Sequence, residues 1–329
     1  MNKAILLLRV ISMFYIILYH CVCYYGIWNL FPENQTYEHI EWWRGGANFA
    51  LNVFVFISGY LFAYLYIYKG KYRDRNDFIK NKAGRILIPY FIWSALALLM
   101  FPSQTPIMSL FCGVQHLWFL LMLTGIFVVI ICGFKSFIKL SLLKQMGGVV
   151  LITTGSALLI SIVSGKLINL FCWEMIIQYL PAFLVGCILA QGRLDDKLLS
   201  LLPIAFWSIM LLASLLTILF VVSKELPLGS IYRKYPTYIV LVFLYSALRR
   251  IEFNLSIYLI NLDRCSMGIY IVHHLLIWAF LFYCPQSQRL MNEHYILAPI
   301  IMLVTVFLAS WGITYMVLKN KYIAKIIGT

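Results

Sequence analysis

Two ionisable residues stand in the first apolar stretch of the chain, Arg9 and His20 in RVISMFYIILYHC, residues 9–21. A guanidinium holds phosphate or carboxylate through charge-assisted hydrogen bonds, and an imidazole is the side chain best matched to taking up a proton near neutral pH. The two are 11 positions apart. That is about three helical turns with a residual rotation of about 20°, so on a helix they share one face. The rise between them is about 16 Å, roughly half of a bilayer core of about 30 Å, so they cannot form a direct pair. They can line the two ends of one passage.

Further polar residues fall at comparable depth, where such groups are costly and usually functional. His116 opens the stretch QHLWFLLML. SMGIYIVHHLL carries Ser266, Tyr270 and His273 at i, i+4 and i+7, a single helical stripe. NFALNVFVFISGYL sets Asn48, Asn52 and Gly59 on another stripe, with Ser58 beside it. KNKAGRILIPYF presents Lys82 and Arg85 just before Pro89. Each has a plainer use as well. A histidine at a span end is often interfacial, Arg85 can snorkel to headgroups, and the asparagines can bond neighbouring helices for about 1 kcal/mol. Arg9 resists such a reading, because it lies inside an apolar run and in register with His20.

The elements that must position these residues are membrane helices. Of 329 residues 63% are hydrophobic and only 12% charged, with a mean hydropathy of +0.88, far from the balance of a soluble domain. A window of about 19 residues gives ten expected spans. They lie near 4–25, 46–68, 86–101, 116–132, 147–163, 175–191, 201–222, 235–249, 266–284 and 296–318. The first is taken as a span rather than a signal peptide, since no small-residue cleavage site follows it. Of the 26 Lys and Arg, 19 fall on the side of the N-terminus and six on the other, with Arg9 inside a span. The positive-inside rule then puts both termini in the cytoplasm. The fold expected is an all-α, polytopic integral membrane bundle of about ten helices, a single domain over residues 1–329. The net charge of +14 is mostly this asymmetry. Nucleic-acid binding would need a basic soluble domain, and none is visible.

The eight cysteines are scattered through span ends. Cys21 and Cys23 are two apart and point to different helix faces, a poor metal clamp, so no metal site is expected. Cys112, Cys172 and Cys284 fall towards the outer side, where a disulfide among them stays open.

As a set, these pieces resemble acyltransferase family 3. An Arg and a His separated by ten residues, FISGY, RILIPY, HLWFL and GIYIVHH occur in order from about residue 5 to about 280. The resemblance implies a multi-pass enzyme of the bacterial inner membrane that moves acyl groups, most often acetyl, onto sugars of surface polysaccharides. One departure is Lys82, where the family often has a second Arg; the charge stays but the planar fork is lost. The soluble esterase-like domain fused to some members is not expected.

On this resemblance, His20 is the expected base and Arg9 acts with it. Arg9, Arg85 and Lys82 are expected to hold an acyl-CoA donor such as acetyl-CoA, a substrate rather than a tightly bound cofactor. His116, His273, Ser58, Tyr270 and Asn52 are expected to support the reaction or bind a carbohydrate or glycolipid acceptor, with polysaccharide-synthesis machinery as a further partner. Brief acylation of His20 itself is an equally open route. A transporter or flippase of a glycan or lipid-linked intermediate is the main alternative, although no repeated halves are visible. A purely structural assembly role would leave the cost of Arg9 without a reason.

Overall fold

The computed structural model describes residues 3–27, 36–192 and 229–328, apart from a few positions in the connections (73, 103, 104, 164–166, 253, 285, 288, 290–292, 295 and 296). Long apolar runs free of Pro make the first helices long. α1 spans Lys3–Ile27 and α2 Thr36–Tyr68. A short polar α3, Arg75–Lys82, runs into one π-helical turn, Ala83–Leu87, and then α4, Ile88–Met100, with Pro89 in its first turn. A ring without an N–H is harmless there and disruptive further in, so the proline fixes where the apolar part begins. α5, Ser109–Cys112, and a 3₁₀ turn, Gln115–Leu117, lead into α6, Trp118–Phe137. α7, Leu142–Val163, α8, Trp173–Ala190, α9, Gly229–Arg250, α10, Ile257–Tyr283, and α11, Leu297–Lys319, follow. A last 3₁₀ segment covers Ile323–Ile327.

The chain is an all-α polytopic membrane protein, with no strand among the described residues. Eight helices among the described residues are long and apolar enough to cross a membrane. Of the ten expected spans, 201–222 lies outside the described residues. The span 235–249 falls in α9, which is helical but bears Arg233 and Lys234 towards one end and Arg249 and Arg250 at the other. It is not among the eight. The ninth expected span begins earlier than its hydropathy suggests, at Ile257 rather than near 266. Ser256 caps it, its hydroxyl accepting from the Leu259 N–H at 3.2 Å, and the added turns carry Asp263 and Arg264 into the bundle.

α2 packs most extensively on α8. The crossing is tight because glycine supplies it from both sides. A Cβ on Gly59 would lie 2.0 Å from the Phe183 carbonyl oxygen, and one on Gly186 would lie 2.1 Å from that of Phe56. Small residues let membrane helices approach backbone to backbone, where lipid gives no hydrophobic drive for association. At one end of this pair Gln191, closing α8, exchanges amide hydrogen bonds with Gln145 of α7 at 3.0 and 3.3 Å. α1 lies against α2, α10 and α11. It is therefore central, and its Arg9 and His20 face α10.

Gly59→Val and Gly186→Val should lower the thermal midpoint in detergent, since overpacking costs about 1–3 kcal/mol and here it meets backbone. Gly147→Ala and Gly155→Ala, whose added Cβ meets nothing within 4 Å, should stay within about 1 kcal/mol of wild type. Size-exclusion profiles after stepwise heating measure both; equal loss in the two sets would refute the crossing as the tight contact.

Candidate active site

α1 and α10 are joined at two depths. Arg9 Nη1 donates to Asp263 Oδ1 at 2.6 Å, with the two side chains only 21% and 12% exposed. His20 Nδ1 lies 2.9 Å from His273 Nε2. The partners are 11 residues apart on α1 and 10 apart on α10, in the same order, so the two helices run parallel with matching rungs about 15–16 Å apart. The ends of the bundle can be named from these rungs: a basic end at Arg9 and a histidine end at His20.

A cavity of about 700 Å³ occupies the basic end and runs inwards. Arg9, Lys82, Arg85 and Arg264 line it against a single carboxylate, Asp263. Lys82 Nζ stands 4.2 Å from the Phe127 ring centroid, which holds the ammonium over an aromatic face. Arg85, on the π-helical turn, donates from Nε to the Gly328 carbonyl at 3.3 Å. No carboxylate among the described residues pairs with Lys82 or Arg85. Their charge remains for an anion, whereas that of Arg9 is largely matched by Asp263. A second cavity of about 530 Å³ shares Tyr72, Lys82 and Arg85 with the first and reaches Lys71, Asn81 and the carboxylates Asp74 and Asp77. The two together form an entrance where Lys82 and Arg85 stand between the larger cavity and the carboxylates of the smaller one.

At the other end four imidazoles converge. His116 stacks on His274 with ring centroids 4.3 Å apart and planes 15° apart. His20 lies 5.1 Å from His274 and 6.2 Å from His116, and His116 lies 5.2 Å from His273. Hydrogen-bond accounting assigns the protons. His273 Nδ1 is 3.1 Å from the Ile269 carbonyl, which only accepts, so Nδ1 carries the hydrogen and Nε2 is a lone pair. His20 must then donate from Nδ1, and its Nε2 is left as a lone pair. By the same argument His116 donates from Nε2 to the Ile271 carbonyl at 3.1 Å. Its Nδ1 is buried with no hydrogen-bond partner. His20 Nε2 and His116 Nδ1 are thus basic nitrogens of the cluster, held by neighbours that fix the tautomers.

Local sequence explains how His116 gets there. Gly113 has φ +99° and Gln115 φ +44°, two left-handed positions that swing the chain into α6. Gln115 is held by its amide donating to Thr105 Oγ1 at 3.0 Å. Beside this turn Cys172 Sγ donates to the Cys112 carbonyl at 3.1 Å. All eight cysteines are unpaired thiols, so none of the disulfides left open by the sequence is formed.

Most of the expected site residues are brought together. Arg9, Ser58, Lys82, Arg85 and Tyr270 line the large cavity, and His20, His116 and His273 make the cluster. Tyr270 joins the two, lining the cavity while its hydroxyl donates to the His116 carbonyl. Ser58 turns its hydroxyl back to the Phe54 carbonyl at 2.9 Å. Asn52 is not brought in: its amide donates to the Asn48 carbonyl of its own helix at 2.8 Å, away from the cavity lining. Sequence reasoning missed Asp263 and His274. Running the Tyr270 and His273 stripe back at helical spacing would have reached Asp263, and VHHLL already held His274 one residue round the helix.

Removing one partner of a buried ion pair costs about 3–5 kcal/mol, while replacing both by apolar groups is often neutral. For Arg9 and Asp263, which keep some exposure, Arg9→Met and Asp263→Leu should each destabilise towards the lower end of that range. The double variant should recover more than half of the loss in thermal unfolding. Additive losses would mean the pair is not coupled.

The family model for the acyltransferase domain, acyltransferase family 3, matches residues 2–315. No curated protein and no solved structure matches the chain. A match across nearly the whole bundle, together with a cationic cavity that leads towards a histidine cluster, identifies the chain: it belongs to acyltransferase family 3 and is a membrane acyltransferase.

Proposed function

We propose that this acyltransferase moves a short acyl group, acetyl foremost, from acyl-CoA to a hydroxyl of a cell-surface carbohydrate or its lipid-linked precursor. The observation that carries the reading is the large cavity, four cations to one carboxylate at its mouth and Tyr270 at its inner end. Such a lining suits a polyanionic nucleotide thioester, and the spacing of the two rungs suits a donor whose reactive carbon is carried about 15–16 Å from its phosphates. In this reading the basic end faces the cytoplasm of a bacterial inner membrane. Polysaccharide-synthesis machinery supplies the acceptor at the histidine end.

A sugar hydroxyl is a weak nucleophile at neutral pH and needs a base within hydrogen-bond reach. His20 Nε2 takes the proton as the hydroxyl oxygen bonds to the thioester carbonyl carbon. The C–S bond then breaks, and the proton passes to the departing sulfur to give the free thiol. As His20 becomes an imidazolium, its Nδ1–H stays directed at the lone pair of His273 Nε2, so the charge forms without reorganisation. His273 is a positioning residue. Its own N–H is committed to the Ile269 carbonyl.

The test is the acid released by mild alkali from surface glycans of cells lacking the gene and then complemented. Wild type should restore an ester, and His20→Ala, at equal membrane abundance, should restore none. With membranes and acetyl-CoA, His273→Leu should lower kcat by about 10²-fold or more at unchanged donor KM, the scale of general-base catalysis. Lys82→Gln and Arg85→Gln should instead raise donor KM. Esters that do not depend on the gene, with glycan export altered, would replace catalysis with transport.

A further inference from the structure

No histidine is among the residues that line the donor cavity. Three rings close the cavity's inner end: Phe54 on α2, Phe119 on α6 and Tyr270 on α10. Every pair of them is in contact. Phe54 and Phe119 lie 6.2 Å apart at 68°, Phe54 and Tyr270 6.4 Å apart at 52°, and Phe119 and Tyr270 5.5 Å apart at 61°. Behind this layer Tyr270 touches both His116 and His273, with centroids 5.5 and 5.8 Å away. Phe119 follows His116 by three residues and Tyr270 precedes His273 by three, so the layer stands about one helical turn, roughly 4.5 Å, in front of the imidazoles. A thioester that stops in the cavity stops short of His20.

The rings are not equally free to move. Phe119 and Tyr270 are each 6% exposed, and Tyr270 is tied through its hydroxyl to the His116 carbonyl. Phe54 is half-buried and borders about 700 Å³ of open cavity on one side. Its ring rests on Phe119 and Tyr270 but makes no hydrogen bond, so a turn about its side-chain bonds carries it into that space. The geometry points to Phe54 as the moving leaf of an aromatic gate, with Phe119 and Tyr270 as its fixed jambs, that admits the thioester to the histidines and sets the length of acyl group accepted. The inference rests on the acyl-CoA reading above. A closed gate keeps the thioester from water at the histidines until an arm long enough has opened it, and an opening the size of one ring passes a short acyl group more readily than a long one.

The experiment uses membranes from the deletion strain carrying the full chain, supplied with radiolabelled acetyl-, butyryl- or hexanoyl-CoA and containing their own glycans. Transfer is read as alkali-labile label in the glycan fraction, and waste as CoA thiol released in excess of transfer. Phe54→Ala should raise the hexanoyl to acetyl transfer ratio at least 10-fold and raise waste hydrolysis. Phe54→Trp should lower transfer of all three. Phe54→Leu, which keeps most of the packing, should shift the ratio in the same direction as Ala by less, and it carries the test if the Ala variant fails to reach the membrane. An unchanged ratio and unchanged waste in variants of normal abundance overturn the gate while leaving the acyl-CoA reading standing. Wild-type membranes that transfer none of the three labels overturn that reading, and the gate with it.

Discussion

A charge in hydrocarbon needs a partner, and this requirement organises the bundle. Arg9 meets Asp263 at 2.6 Å and His20 meets His273 at 2.9 Å, each across the interface between α1 and α10. Two rungs at different depths fix more than contact. They fix the direction of both helices, which must run parallel, and their rotation, since 11 residues on one side and 10 on the other must return to the same face. One residue inserted between the rungs on either helix would rotate one rung out by about 100° and leave ionisable groups unpaired in the membrane. The remaining helices frame this pair: α2 lies against α1 and closes on α8 by the glycine crossing, and α11 covers α10.

Much of the bundle was legible in the sequence because hydropathy is a property of each helix by itself. The shared face of Arg9 and His20, and the stripe through Ser266, Tyr270 and His273, follow from helical period alone, and the structure places them as that period requires. What sequence could not supply were cross-helix pairings. The apolar window stopped at 266 because Asp263 and Arg264 count against a span. Only the presence of Arg9 on another helix makes Asp263 tolerable at that depth. Asn52 lies outside the lining of the large cavity for the converse reason. Its stripe was real, but a short amide can satisfy itself one turn back on its own helix, as it does through Asn48, without facing a site.

The substitution that sets Lys82 where the family often has arginine takes on a specific meaning in the structure. A guanidinium would offer a fork of donors; the ammonium is a point charge, and here it sits over Phe127 with Tyr72 also within 5.6 Å. The fork at this end belongs to Arg85, which the π-helical turn and the following proline aim at the shared wall of the two cavities. This end of the bundle thus combines one directional donor, Arg85, with one point charge held over an aromatic face.

The hydrogen bond from His273 to the Ile269 carbonyl has a consequence for the path of a proton. A carbonyl oxygen can accept a proton's hydrogen bond but has none to hand on, so the line of imidazoles that starts at His20 terminates there. On its far side stands the layer of Phe54, Phe119 and Tyr270, two of whose rings carry no exchangeable hydrogen at all. Among the described residues, the hydrogen bonds that begin at His20 thus end inside the bundle. A proton taken up by the imidazoles therefore stays on their side of the aromatic layer, apart from the cations of the large cavity.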